Sequence, residues 1–308
     1  MTSIAIGIVG FGQIARREHA AAIAVTDGLH LAAIADPAAR NVTLPVFAGL
    51  GEMLAARPEI EAVALCTPPS LRADVAREAI AAGQHVLLEK PPCATLAEAE
   101  SLAALARNAG VSLMTAWHSR EGAAVGAARG WLRGRQVRSI RVVWKEDVRV
   151  WHPGQPWIWQ AGGFGVFDPG INALSILTAI LPGTLNVTQA TLGIPVNCAT
   201  PIAASLALES ELGFEVSVEL DFLQTGPQSW DIDIETDEGR AVLSDGGNGL
   251  SIDGRKIALP PEAEYRALYA RFAKLIRKRE SDVDLEPLRL VEQALAKGRV
   301  LPVAAFEE

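Results

Sequence analysis

Lys90 follows an apolar run, His85-Val-Leu-Leu-Glu89, and precedes two prolines. An amine at the end of a buried strand is costly unless it is paired or used. Lys90 therefore reads either as a base for proton abstraction or as half of a structural ion pair, with Glu89 as the nearest partner. A second polar group lies far along the chain: Lys145-Glu146-Asp147, then Trp151-His152-Pro-Gly-Gln-Pro-Trp157-Ile-Trp159, then Gly162-Gly-Phe-Gly-Val-Phe-Asp168-Pro-Gly-Ile-Asn172. Asp168 before Pro169 reads as a helix N-cap with proline at the first helical position. Asn172, four residues on, shares its face, so both polar tips would converge at one helix mouth. Tryptophans usually mean core. Here Trp151, Trp157, Trp159 and the distant Trp230 come mixed with Glu146, His152 and Gln155, a set suited to stacking on a sugar face and gripping its hydroxyls.

A third feature opens the chain. The strand-like run Ile4–Val9 leads into Gly10-Phe-Gly12-Gln13-Ile14-Ala15, a G-x-G-x-x-A spacing at a strand-to-helix junction. Gly10 permits the tight turn, Gly12 lets a pyrophosphate approach backbone, and the phosphates rest on the positive end of the helix carrying Gln13 and Ile14. Asp36, closing the next strand, would accept both ribose hydroxyls and repel a 2′-phosphate, which favours NAD over NADP; it also reads as a turn residue before Pro37, and Arg40 nearby blurs the preference. Cys66-Thr67-Pro68-Pro69 and Glu89-Lys90-Pro-Pro92 end two further strands, and in a doubly wound sheet such loops border the cofactor crevice. Other chemistries fit less well. His118, His152, Asp168 and Glu146 hold no pair at a metal-ligand spacing on one helix, so no metal is expected. The glycines at 162, 163 and 165 lack a following Gly-Lys-Ser/Thr, and no Gly-x-Ser-x-Gly is present.

The elements that must position these groups follow from pattern. At 308 residues the chain has room for two domains. Strands near Ile4–Val9, Leu29–Ala35, Ala62–Cys66, His85–Glu89 and Ser112–Ala116 alternate with helices near Ile14–Val25, Leu50–Ala56, Leu71–Ala82 and Leu96–Asn108, the last opened by the capping-box spacing Thr95-x-x-Glu98. Beyond Arg120 the texture changes to a helix at Ala123–Leu132 and long period-two runs, read as an antiparallel sheet with one exposed face, then closing helices at Glu262–Lys278 and Leu285–Lys297. The expected domains are 1–119 for the dinucleotide and 120–308 for substrate binding and oligomerisation. A net charge of −8 argues against nucleic acid. No basic n-region or membrane-length apolar window is seen, and three cysteines without CxxC spacing suit a reducing cytoplasm. A homodimer or homotetramer is expected from the sheet's free face.

Gly-Phe-Gly-Gln-Ile-Ala15, Ala35-Asp36-Pro37, Cys-Thr-Pro-Pro69, Glu-Lys-Pro91 and Gly-Gly-x-x-x-x-Asp168-x-Gly-x-Asn172 together resemble the glucose-fructose oxidoreductase and inositol dehydrogenase family. More narrowly, Thr115-Ala-Trp-His-Ser-Arg120, Trp144-Lys-Glu-Asp147, Trp151-His-Pro-Gly-Gln155 and Val166-Phe-Asp-Pro-Gly-Ile-Asn-Ala-Leu-Ser175 look like its L-arabinose and D-galactose 1-dehydrogenase branch. The resemblance implies an α/β chain: an amino-terminal Rossmann domain and a carboxy-terminal α+β domain with a mostly antiparallel open sheet. It further implies oxidation of an aldopyranose at C1 to the lactone, with NAD or NADP accepting hydride. Carried over by position, cofactor contacts fall on Gly10, Gly12, Gln13, Ile14, Asp36, Thr67, Pro68, Glu89 and Lys90. Sugar contacts fall on His118, Glu146, Trp151, His152, Asn172 and Trp230, and catalysis on Lys90 and Asp168. The family usually has histidine where this chain has Asn172, and a third glycine where it has Phe164. Asparagine cannot act as a base, so Lys90 is expected to take the proton with Asp168 as its orienter or relay. Alternatives are an inositol or other sugar dehydrogenase, and a sensor that binds sugar and dinucleotide without catalysis.

Overall fold

The computed structural model describes residues 3–307. The chain divides into two compact units, one running to Trp117 and taking in Tyr265–Leu285, the other made of His118–Glu264 and the chain from Glu286 onward.

The first unit is built from β1 (Ile4–Val9), a π-wound turn at Ala15–His19 that continues as α1 (Ala20–Val25), β2 (Leu29–Ala35), β3 (Val46–Phe47), α2 (Leu50–Ala56), β4 (Ile60–Leu65), α3 (Pro69–Ala81), β5 (His85–Glu89), α4 (Leu96–Ala109) and β6 (Leu113–Ala116). Its sheet has the order β3-β2-β1-β4-β5-β6, and every pairing is parallel. Every residue of β1 is buried, as helices on both faces of a parallel sheet require. The order reverses between β1 and β4, which makes the loops after these two strands the switch point where such sheets take their ligands. α4 opens with the capping box expected at Thr95 and Glu98, each side chain bonded to the other's backbone N–H.

The second unit holds α5 (Val125–Leu132), β7 (Val137–Lys145), α6 (Val148–Trp151), α7 (Phe167–Ile180), β8 (Leu185–Pro195), β9 (Ala203–Ser210), β10 (Glu215–Asp221), β11 (Ser229–Thr236), β12 (Gly239–Ser244), β13 (Gly249–Ile252) and β14 (Arg255–Lys256). After the helix α8 (Glu264–Lys278), α9 (Glu286–Lys297) and β15 (Arg299–Val303) complete it. Nine strands run in the order β14-β13-β12-β11-β7-β10-β9-β8-β15. All pairs are antiparallel except β10 with β7 and β15 with β8. Along β9 burial alternates strictly, Ala204, Leu206, Leu208 and Ser210 turned in and Ser205, Ala207 and Glu209 turned out, so period-two patterning reports the free face as expected.

Two expectations are corrected. Tyr265–Leu285 belongs with the first unit, where the sequence reading assigned everything after 120 to the second. Tyr265, Leu268, Tyr269, Phe272 and Ile276 form one apolar stripe along α8 that packs with Ile4, Ile6, Ile8, Phe11 and Ile23, and the Asp282 backbone exchanges hydrogen bonds with Leu113 and Thr115 at the edge of β6. Asp168 is not the N-cap of its helix. α7 begins at Phe167 after Val166, so Asp168 and Pro169 are its second and third residues. Gly165, at φ +53°, turns the chain tightly against Pro201, and the Val166 N–H bonds the Pro201 carbonyl at 2.7 Å, which starts the helix early. No helix among the described residues is long and apolar enough to cross a membrane.

Candidate active site

In the first unit the switch-point loops are interlocked. Gly10 has φ +83°, and a Cβ there would lie 2.8 Å from the Thr67 nitrogen and 2.9 Å from the Cys66 carbonyl carbon, so only glycine lets these loops meet. Gly12, Gln13 and Ile14 are exposed, and a Cβ at Gly12 would meet nothing within 4 Å. Asp36 takes the Phe11 N–H on one carboxylate oxygen at 2.6 Å and the Ala38 N–H on the other at 2.7 Å. It is thus a turn residue and a tether for the glycine loop together. Arg40 folds back onto the Pro37 and Ala39 carbonyls, while Arg16 lies over the Phe11 ring at 4.6 Å. The Thr67 hydroxyl is buried and has no hydrogen-bond partner within the protein. An open approach to Gly12, an orphaned hydroxyl in the facing loop and a helix N-terminus fit a dinucleotide. Pro68 precedes α3, and Pro69 is its first residue.

Lys90 leaves the end of β5 half-buried. Its N–H donates to Oε2 of Glu89 at 2.5 Å, so the Glu89 carboxylate turns into the unit, where Tyr265 donates to Oε1 at 2.8 Å and His19 Nε2 lies 3.2 Å away. Arg72, 3% exposed, donates to the Glu89 carbonyl at 2.5 Å and to the carbonyls of Pro91 and Thr67. Burial opposes a charge on His19, but the acidic groups around it, Cys66, Tyr269 and Glu89, outweigh it and raise its pKa well above the ordinary histidine value. Burial first, and then Glu89, pushes the Tyr265 hydroxyl far up; burial also pushes the Tyr269 hydroxyl up to about 12, against the opposing pull of His19. This buried network was invisible to motif reading, since its members lie at 19, 72, 89, 265 and 269. The one local hint is a histidine one turn past the glycine loop, on an otherwise apolar helix face.

In the second unit most of the predicted sugar contacts meet. Glu146 follows β7 and is pinned by its N–H to the Asp221 carbonyl at 2.9 Å. Trp230 stands opposite Trp144 in the β11/β7 register and donates its indole N–H to Glu146 Oε2 at 2.9 Å. His152, just past α6, places Nε2 3.2 Å from Glu146 Oε1 and Nδ1 3.8 Å from Asp168 Oδ2. Both carboxylates are 3% exposed. Asp168 sits in the first turn of α7. Trp151, 42% exposed, sets its ring edge-on to Trp230 with centroids 4.8 Å apart. Asn172, one turn along α7, has a buried Oδ1 with no donor from the protein. Buried acceptors, an imidazole and an exposed indole face in one patch can orient a polyhydroxylated ring. Phe164, where the family has glycine, is buried. His118 is held differently: its Nδ1 lies 2.6 Å from Glu264 Oε2, and Asn248 donates to Oε1 of the same carboxylate at 2.7 Å. Glu264 and Asn248 carried no local signal.

A sequence profile described as an oxidoreductase family with an NAD-binding Rossmann fold matches residues 4–117. The chain is 44% identical to a galactose 1-dehydrogenase of Pseudomonas fluorescens, across 99% of each. It is 49% identical to the crystal structure of a D-galactose-1-dehydrogenase from Rhizobium etli, with a TM-score of 0.95, covering 100% of this chain and 99% of that one. A 3-ketoreductase from Actinomadura kijaniata, 20% identical with a TM-score of 0.83 over 98% of this chain and 100% of its own, shares the fold. With its glycine loop, its Glu89-Lys90-Pro91 turn and this end-to-end likeness, the chain belongs to the glucose-fructose oxidoreductase and inositol dehydrogenase family of NAD-binding oxidoreductases.

Proposed function

We propose that the protein is an NAD(P)-dependent aldose 1-dehydrogenase that oxidises D-galactose, and L-arabinose with it, to the corresponding lactone. The observation that supports this most is the Glu146–His152–Asp168 cluster with Trp230 on Glu146, in a chain similar to galactose 1-dehydrogenases over nearly its whole length. Glu146, His152 and Asn172 hold ring hydroxyls, Trp151 offers its face to the ring, and His118, oriented by Glu264, contributes a further contact. Lys90 takes the proton from the C1 hydroxyl as the C1–H bond breaks, because without that transfer the carbon is left as an oxocarbenium ion. Asp168 orients Lys90 or relays its proton. The nicotinamide, when bound, supplies the hydride acceptor. Gly10, Gly12, Gln13, Ile14, Thr67 and Pro68 frame its binding loops. Asp36, with Arg40 turned back onto backbone carbonyls, favours NAD over NADP. D-Galactopyranose and L-arabinopyranose differ by an exocyclic CH2OH, and one such group is worth only about 1–3 kcal/mol of discrimination, so both are substrates in this reading. The enzyme works in the cytoplasm as a homodimer or homotetramer.

The test mixes the protein with NAD or NADP and a panel of D-galactose, L-arabinose, D-glucose, D-xylose and myo-inositol, following absorbance at 340 nm. Reduced cofactor with the first two sugars and little with myo-inositol is the expected result. Turnover of myo-inositol alone, or of nothing, overturns the proposal.

A further inference from the structure

A buried, hydrogen-bonded group of ionisable side chains lies beside Lys90 in the first unit. His19, Glu89, Tyr265, Tyr269 and Arg72 are all less than a tenth exposed, and ionisable side chains so placed are costly unless every one is satisfied. His19, Glu89, Tyr265 and Tyr269 bond to one another, and Arg72 donates to the backbone carbonyls of Glu89, Pro91 and Thr67. Tyr269 meets His19 Nδ1 at 2.7 Å, His19 Nε2 and the Tyr265 hydroxyl meet Glu89 Oε1 at 3.2 and 2.8 Å, and Glu89 Oε2 accepts the Lys90 N–H at 2.5 Å. Tyr265 and Tyr269 also flank the imidazole edge-on, with centroids 5.0 and 5.7 Å away. His19 stands in the π-wound turn directly after the glycine loop, and such turns concentrate at functional sites. Four segments of the first unit therefore converge on Glu89, whose carboxylate accepts the Lys90 N–H: the turn carrying His19, β5, α8 and, through Arg72, the loop at Thr67.

We propose that His19 is a positioning residue for Lys90, fixing through Glu89 the backbone from which the amine projects and setting a positive charge against the Glu89 carboxylate. This rests on the reading of Lys90 as the base. A carboxylate one residue from a lysine stabilises the ammonium, which a base must shed. A cationic imidazole beside that carboxylate cancels the effect while leaving its hydrogen bonds in place. The acidic groups facing His19 are Glu89 from β5, Tyr265 and Tyr269 from α8 and Cys66 from the loop after β4. Against the opposing effect of burial they raise its pKa well above the ordinary histidine value, which favours the charged ring.

The experiment reads Lys90 directly in dinucleotide-free protein, by trace labelling with acetic anhydride at pH 8 and quantifying the Lys90 peptide by mass spectrometry. H19Q, which keeps an amide donor but loses the charge, is expected to slow labelling about tenfold. Combined H19Q and E89Q is expected to recover most of the wild-type rate, because both charges are then gone. A purely structural role predicts the reverse, a double variant at least as perturbed as the single one. In turnover assays H19Q is expected to lower kcat at least tenfold while sugar and dinucleotide KM stay within about threefold. Labelling of H19Q within twofold of wild type, or no recovery in the double variant, overturns the proposal. Should H19Q fail to fold, Y269F removes only the hydroxyl from His19 Nδ1; its labelling is expected to fall about threefold, and an unchanged rate overturns the proposal equally. A wild-type protein that turns over no sugar refutes the dehydrogenase reading, whereas the labelling of Lys90 still decides the network.

Discussion

The Asp36 carboxylate accepts the Phe11 and Ala38 amides at 2.6 and 2.7 Å, so the side chain that faces a ribose in the proposed reading also holds the glycine loop. An ionised acceptor on backbone N–H groups is worth roughly 1.5–3 kcal/mol. Replacing it therefore alters both affinity and the loop. D36A is expected to lower kcat/KM with NAD at least tenfold and with NADP far less, since a 2′-phosphate no longer meets a like charge. Parallel initial-rate series with the two cofactors check this, and a loss of equal size with both would assign Asp36 to the loop alone. At this scale the sequence was informative where a residue acts through its neighbours in the chain: Gly10, Asp36 and Lys90 lie at strand ends that local pattern places. Asp168 was placed at the right mouth of the right helix but in the wrong position, because the turn that starts α7 depends on Gly165 meeting Pro201, 36 residues later. Glu264 on His118, and Tyr269 on His19 across 250 positions, follow from tertiary packing that no spacing encodes.

Elements were legible in proportion to how much of their stability is local. α4 announced itself through its capping box, and β1 and β5 through uninterrupted apolar runs. The two-residue β3 and the exposed edge strand β15 did not, as their pairing partners lie elsewhere in the chain. One element carries a titration worth following. His85 opens β5 beside β6, and its Nδ1 accepts the Ser112 N–H at 2.8 Å, a bond only the neutral ring can make. Burial first, and then the Arg279 charge, lower its pKa below the ordinary histidine value. The folded state thus resists a proton that the unfolded chain takes up near pH 6.5. The stabilisation is complete above that pH and is lost as pH falls from there through the lower folded-state value. H85Q keeps an acceptor without titrating, so its melting temperature is expected to fall less between pH 7.5 and 5 than that of the wild type. Thermal melts at half-unit intervals decide it, and parallel curves would show that His85 contributes nothing to the acid limb.

For the whole molecule, the alternation of strands and helices before Arg120 and the period-two runs after it correctly separate a parallel sheet from a mostly antiparallel one. They do not reveal that the first unit is discontinuous. An amphipathic helix such as α8 states that it has an apolar face without stating which sheet that face covers, and adjacency in sequence is the default that misled here. Tyr265, Leu268, Tyr269, Phe272 and Ile276 complete the core that Ile4, Ile6 and Ile8 begin. A fragment ending at Trp117 would expose that surface and leave the Glu89 carboxylate buried without its Tyr265 donor. Loss of several large buried side chains at a few kcal/mol each exceeds the stability of an ordinary domain. The chain leaves and re-enters the unit at neighbouring points, since His118 and Glu264, the first residues beyond each crossing, are hydrogen-bonded at 2.6 Å. Residues 1–117 alone are therefore expected to lack a cooperative thermal transition, and the same residues joined to 265–285 through a short Gly-Ser linker to regain one and to bind dinucleotide. Circular dichroism melts of the two chains test this; a cooperative transition in 1–117 alone, at the temperature of the linked chain, would show that α8 only decorates a core already complete.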